Sequence, residues 1–428
     1  MPAIAKILIV FFGMLALTRM KIPLFLALII GGLTLAVLAG LPPLDSLWLL
    51  VKSLCLLRLW LLLAITILVV EFGRYITEKE NSEAIIGAIK KWGGRHGRVW
   101  TMTMVPAVVG LIPMPAGALF SAPFVQQAIG DNKHAPAWRT AVNYWFRHVW
   151  EYWWPLYPGV IVAMSVFQME NWQFLATQVP FTVVSITAGY IFLIRPHVQD
   201  FCSDTTTELV DNRRVFIAGM PLLLVIASVI FLPFALKNIA PFISVQNRKM
   251  LAMLVGLLAG VTLITRDEMK RGMKLAVFSS VLKPKSRGIL LTIVGIMTFQ
   301  YFLEQSGLVI LAGEEIGGRG IVVVIAVLPF LAGMVTGVAV GFTGISFPLV
   351  VGLMNGPNSG LTPMSTLALA YGCGYMGMML SPIHLCLLVS KDYFGSRLPP
   401  VYKYIIPCVT TILVFTTLAH IFLRAMGA

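Results

Sequence analysis

Charge is scarce in this chain. Only 12% of its 428 residues are Asp, Glu, Lys or Arg, against about 25% in a soluble domain. A chain so poor in charge cannot cover a water-facing surface, which excludes an ordinary soluble globule. Acidic residues are the scarcer sign, 18 against 32 basic, giving a formal net charge of +14. The basic residues lie between apolar runs and not on one polar face, so a nucleic-acid partner is not expected. Cysteines number five: Cys55, Cys202, Cys373, Cys386 and Cys408. No CxxC and no Cys/His metal spacing is present, so they read as small apolar packers without a disulfide or a metal. HExxH, GxSxG, paired intramembrane Asp and nucleotide-binding motifs are also missing, which argues against an enzyme. The first apolar run, Ile4 to Leu17, has no small-residue cleavage site after it. It reads as a first spanning helix and not as a removed signal peptide.

What is present is hydrophobic residue, 58% of the chain, with a mean hydropathy of +0.87. At about 20 residues per span, the length accommodates roughly ten to twelve segments. Apolar runs fall near 3–18, 22–40, 52–76, 99–127, 140–165, 173–194, 215–236, 248–265, 287–305, 320–352, 362–389 and 401–424. Two of them, 99–127 and 320–352, are too long for one span and are broken centrally, at Pro113 to Gly117 and at Gly337 to Gly344. Backbone freed by such breaks is tolerated at membrane depth only where protein or a cavity surrounds it. Both are expected to be re-entrant hairpins. Lys/Arg bias then sets orientation. Arg19 and Lys21, Lys79 to Arg98, Arg195 to Arg214, Arg266 to Arg287, and Lys391 to Lys403 lie inside. Glu304, Glu314 and Glu315, with Arg319 alone, mark an outside loop before the second hairpin. The hairpins thus enter from opposite sides and both termini are external.

An ordered series of matches points to an internal repeat. Gly31 matches Gly256, and Gly-Gly-Arg at 93–95 matches 317–319. Pro106 and Gly110 match Pro329 and Gly333, and Ser121-Ala-Pro123 matches Ser346-Phe-Pro348. Tyr144 and Pro155 match Tyr371 and Pro382, all at offsets of about 223 to 227 residues. The expected fold is an all-α polytopic membrane protein of two inverted-topology repeats. Residues 1–195 and 215–428 form the halves, each with five transmembrane helices and one re-entrant hairpin.

Paired broken segments mark where a transporter holds its solute. Here they are the hairpin tips, with Pro115, Gly117 and Ser121 in one and Thr343 and Ser346 in the other, and the helices after them. Those break at Trp154 to Pro158 and at Ser381-Pro382, with His384 following. Half-helix N-termini suit an anion, and freed carbonyls suit Na⁺ or H⁺. Ionisable residues inside a span are costly and so informative. Arg147, His148 and Glu151 stand together. Arg147 and Glu151, four apart, are expected to share a helix face, as an anion clamp with a proton site or as a mutually neutralising pair. Tyr157 lies opposite His384 in the repeat. Glu71 and Arg74, near a helix end, are read as structural and snorkelling.

At Gly374 to Cys386 (Gly-Tyr-Met-Gly-Met-Met-Leu-Ser-Pro-Ile-His-Leu-Cys), Leu111 to Pro123 and Asn143 to Pro158, the chain resembles domain of unknown function family 401, of the ion transporter superfamily. The resemblance implies inverted repeats, re-entrant hairpins, a scaffold with a moving transport domain, and often a homodimer. Better-known relatives carry dicarboxylates or citrate with Na⁺ and use Ser-Asn-Thr at their hairpin tips. Both tips here lack that motif, so neither property carries over. The expected function is secondary transport of a small anionic, carboxylate-like solute, with elevator-type movement of the hairpin domain in a prokaryotic cell membrane. Na⁺ or H⁺ would be the coupling ion and no other cofactor is expected. The alternatives are a cation/proton antiporter and, further off, an intramembrane enzyme.

Overall fold

A computed structural model describes residues 1–76, 78, 80–81, 84, 88, 97–111, 117–130, 134–201, 212–239, 245–272, 284–356 and 359–427. The basic run at 90–95, the first tip from Ile112 to Ala116 with Pro115, and Cys202 lie outside them, as does most of the joint between the halves.

Among the described residues the chain is helical throughout, with no strand. The helices are α1 (Ala3–Arg19), α2 (Leu24–Ala39), α3 (Pro43–Leu54), α4 (Leu57–Ile76), α5 (Gly97–Gly110), α6 (Ala118–Ile129), α7 (Pro136–Arg147), α8 (Pro158–Phe167) and α9 (Asn171–Gly189). A π-turn and a 3₁₀ segment carry α9 on to Phe201. Then follow α10 (Asn212–Ile239), α11 (Val245–Lys270), α12 (Pro284–Ser306), α13 (Leu308–Thr336), α14 (Ala339–Met354), α15 (Pro363–Met379), α16 (Leu385–Tyr393) and α17 (Leu398–Ala425). Among the described residues three helices, Asn171–Val198, Ser286–Ser306 and Leu398–Ala425, are long and apolar enough to cross a bilayer. α3 and α4 do so together across a 46° bend, where a single run at 52–76 was expected.

Two further expectations need correction. The polar stretch Glu314 to Arg319 was read as a loop, but α13 runs straight through it. The helix packs against α1, and Leu308, Val309 and Ala312 in its first turns are buried. The Glu315 carboxylate accepts the backbone N–H of Ala3 at 2.7 Å and of Ile4 at 2.9 Å, so it caps α1 in place of a local side chain. Glu71 does not snorkel: it is 1% exposed. Arg74 bonds Glu71 at 2.9 Å, Glu78 at 3.0 Å and Glu268 of α11 at 2.6 Å. Beside it Asp267 takes Arg214 of α10 at 2.9 Å, Arg271 at 2.9 Å and the Tyr75 hydroxyl at 2.8 Å. This ionic cluster ties α4, α10 and α11 together.

Around the centre, α5 packs on α6 and α7, and α13 packs on α14 and α15. The short helix after each break crosses to the other set: α8 lies on α14, and α16 lies on α6. Close packing is set by glycine. A Cβ on Gly110 would fall 2.0 Å from the Arg147 carbonyl oxygen, and one on Gly333 2.2 Å from that of Gly374. No side chain but hydrogen fits either crossing.

Candidate functional site

Helix α7 ends at Arg147, and residues 148–157 run as turns before α8 begins at Pro158. Arg147 and Glu151 therefore do not share a helix face. Freed backbone in an apolar interior must find partners, and it does. Tyr375 donates to the His148 carbonyl and Tyr371 to that of Glu151, each at 2.6 Å. Thr182 donates to the Val149 carbonyl at 2.6 Å. The break in turn caps the C-terminus of α5: Arg147 Nη1 donates to the Val109 carbonyl at 2.9 Å, Tyr157 to that of Gly110, and Trp154 Nε1 to that of Leu111 at 2.9 Å. A guanidinium there also meets the negative end of the helix dipole.

The second break spans Leu380 to His384. Ser381 Oγ donates to the Met334 carbonyl at 2.7 Å near the end of α13. The turn joining α13 to α14 passes alongside at Gly337, whose φ of +65° favours glycine and where a Cβ would stand 3.0 Å from Ser381 Oγ.

The breaks enclose a cavity of about 210 Å³, lined by Arg147, His148, Glu151 and Tyr157 from the first and by His384 and Cys386 from the second. Helices α8, α14 and α16 each begin at its wall, at Pro158, Ala339 and Leu385. None of the three carries a side-chain N-cap. Three positive helix ends and one guanidinium thus meet a single buried carboxylate. Inside, His148 Nε2 lies 3.8 Å from Glu151 Oε1 and 3.1 Å from His384 Nε2. His148 Nδ1 faces the Tyr144 carbonyl at 2.6 Å.

Of the residues singled out by sequence, Arg147, Glu151, Tyr157 and His384 come together here, with Ser381 behind them. The others sit elsewhere. Ser121 donates to Asn143 Oδ1 at 2.6 Å, and Asn143 in turn bonds Ser390 of α16 at 2.9 Å. Thr343 and Ser346 donate to their own helix at the Ala339 and Phe342 carbonyls. Gly117 is a buried turn residue leading into α6, and Pro115 lies outside the described residues. Cys386, read as a packer, stands in the cavity wall. The His-Leu-Cys spacing directly after the Ser-Pro break was its signal.

An all-helical chain with several apolar helices able to cross a bilayer defines the class: a helical membrane protein. The chain belongs to the family described as protein of unknown function (DUF401), whose profile matches residues 4–422. Among curated proteins no significant match is found.

Proposed function

We propose that this protein is a secondary transporter of a small anionic, carboxylate-like solute, bound in the cavity between the two breaks. The observation that carries the reading is the convergence of three uncapped helix N-termini with Arg147 on one cavity. Aligned N–H groups and dipole ends favour negative charge. Arg147 would anchor the carboxylate, and Glu151 would hold a coupling proton.

The architecture of the proposal is two inverted repeats, each with a hairpin (α5–α6 and α13–α14) and a broken helix. Contacts that recur at the sequence offset support it. Trp154 on Leu111 is matched by Ser381 on Met334, and Gly110 against Arg147 by Gly333 against Gly374. The reciprocal packing of α8 on α14 and α16 on α6 has the same logic. The ion transporter superfamily, an elevator-type movement, external termini in a prokaryotic cell membrane and a homodimer belong to the same proposal. A cation/proton antiporter is the second reading, resting on Glu151 as a buried carboxylate beside His148.

Thermal-shift screening of the purified protein against carboxylates, amino acids and phosphates, with and without Na⁺, tests the first reading, since a ligand of the folded state raises its melting point. A charge-assisted hydrogen bond is worth about 1.5–3 kcal/mol. Arg147→Gln should therefore weaken the binding of the responding anion roughly 10- to 150-fold. A broad anion panel without any shift, or a variant that binds as well as the parent, overturns the anion site.

A further inference from the structure

One feature of the cavity is not explained by anion binding. His148, His384 and Cys386 are 2%, 6% and 6% exposed, and the two Nε2 atoms lie 3.1 Å apart with the Cys386 side chain beside both rings. The candidate donor atoms of these three residues all lie within 4.8 Å of each other. The chain supplies them from two distant places: the first turn residue after α7, and a His-x-Cys pair where α16 begins.

We propose that these three side chains form a binding site for a borderline transition metal ion of the Zn²⁺ class, with its fourth coordination position open to the cavity. Imidazole and thiolate are the donors such ions select. The tautomer is set correctly. A carbonyl oxygen can only accept, so the 2.6 Å contact with Tyr144 fixes the proton of neutral His148 on Nδ1 and leaves Nε2 bare. Orientation by a backbone carbonyl through the second ring nitrogen is the habit of metal-bound histidines. Spacing fits as well. Two nitrogens each ~2.0–2.1 Å from a tetrahedral ion stand about 3.3 Å apart, and here the two Nε2 atoms are 3.1 Å apart. Cys386 sits in the first turn of α16, where the helix end favours a thiolate. Of the neighbouring charges, Arg147 donates to the Val109 carbonyl and also stands beside Cys386, where its positive charge favours a thiolate, and the Glu151 carboxylate lies 3.8 Å from His148. Three protein ligands and one free position distinguish the site from a closed structural one. The competing arrangement is metal-free, with His384 Nε2 donating to His148 Nε2. His384 Nδ1 has no hydrogen-bond partner among the described residues in either case.

The metal site does not depend on the transport reading, and its test is separate. Purified, metal-stripped protein in detergent is titrated with Co²⁺ and then with Zn²⁺, following absorbance and bound metal per chain. The expected result is one Co²⁺ per chain, with the intense visible bands of tetrahedral cobalt and a near-ultraviolet sulfur-to-cobalt charge-transfer band, both abolished by Zn²⁺. Cys386→Ser should lose the charge-transfer band, and His384→Ala should weaken binding at least tenfold. His420→Gln, which alters a buried histidine bonded to the Ser365 carbonyl elsewhere, should change neither. Variants are compared only where elution and melting show them folded, and Cys386→Ala and His384→Gln serve as second choices. No stoichiometric Co²⁺ binding, or a charge-transfer band retained in Cys386→Ser, overturns the site and leaves the metal-free histidine pair. Anion-induced thermal shifts in a parent protein that binds no stoichiometric Co²⁺ would leave the transport reading intact while the metal site fails.

Discussion

Replacing Gly110 with alanine should loosen the centre of the protein by an amount that the geometry sets. The added Cβ would stand 2.0 Å from the Arg147 carbonyl oxygen and 3.0 Å from its carbon. Even a favourable C–H···O contact needs about 3.3 Å or more, so α5 and α7 must part by roughly an ångström. Both contact atoms are backbone, and no rotamer change relieves them. Overpacking of this kind costs about 1–3 kcal/mol. The movement would also pull on the caps of α5, since Arg147, Trp154 and Tyr157 all donate to its last carbonyls. For a chain of this length the melting point should fall by roughly 2–5 °C, taking ~2 °C or less per kcal/mol. The assay is tryptophan fluorescence during heating in detergent at one fixed scan rate, because unfolding of such proteins is often irreversible. Gly13→Ala is the control: nothing lies within 4 Å of its Cβ, and alanine there should be neutral or slightly stabilising. If Gly110→Ala melts with the parent, the close crossing at Arg147 is wrong. Gly333→Ala, against the Gly374 carbonyl at 2.2 Å, should repeat the loss in the other half.

Trp154→Phe and Ser381→Ala each strand one carbonyl, of Leu111 and of Met334. Each should cost about 1–3 kcal/mol, and a loss confined to one variant would count against matched halves. The Asp267 cluster gives a pH signature. Burial opposes ionisation of this carboxyl, but hydrogen bonds from Arg214 and Tyr75 and the charges of Arg214 and Arg271 outweigh it, holding its pKa below the usual value of 3.8. Its contribution is therefore complete above that value and is lost as the pH falls through the lowered one. Melting followed from pH 6 to pH 3 (both roughly chosen to bracket an ordinary carboxylate) should decline more steeply at the acid end in the parent than in Asp267→Asn. Parallel curves would refute the assignment.

Much of this fold is written in local pattern. Apolar runs gave most helices, and Trp154 to Pro158 and Ser381-Pro382 announced the two breaks. What local pattern could not give was partnership at a distance. The sequence places Arg147 and Glu151 four apart, which suggests one helix face. Yet α7 stops at Arg147 because Tyr371 and Tyr375, more than two hundred residues on, take the freed carbonyls. Cys386 looked like one more packer until His148 was brought to it from the other side of the cavity. Glu315 looked like loop because a carboxylate in a helix seems unpaired when its partner is the first turn of a helix some three hundred residues earlier.

That last pairing has a consequence for the order in which the molecule is made. The first helix leaves the ribosome with its leading N–H groups unmatched, and the carboxylate that answers them lies some three hundred residues later in Glu315. Until α13 has been synthesised and has come to rest against α1, the first turn of α1 lacks this cap. Capping of α1 therefore cannot precede the synthesis of α13. A nascent chain halted short of Glu315 would hold α1 with the Ala3 and Ile4 N–H groups lacking the acceptor that Glu315 supplies.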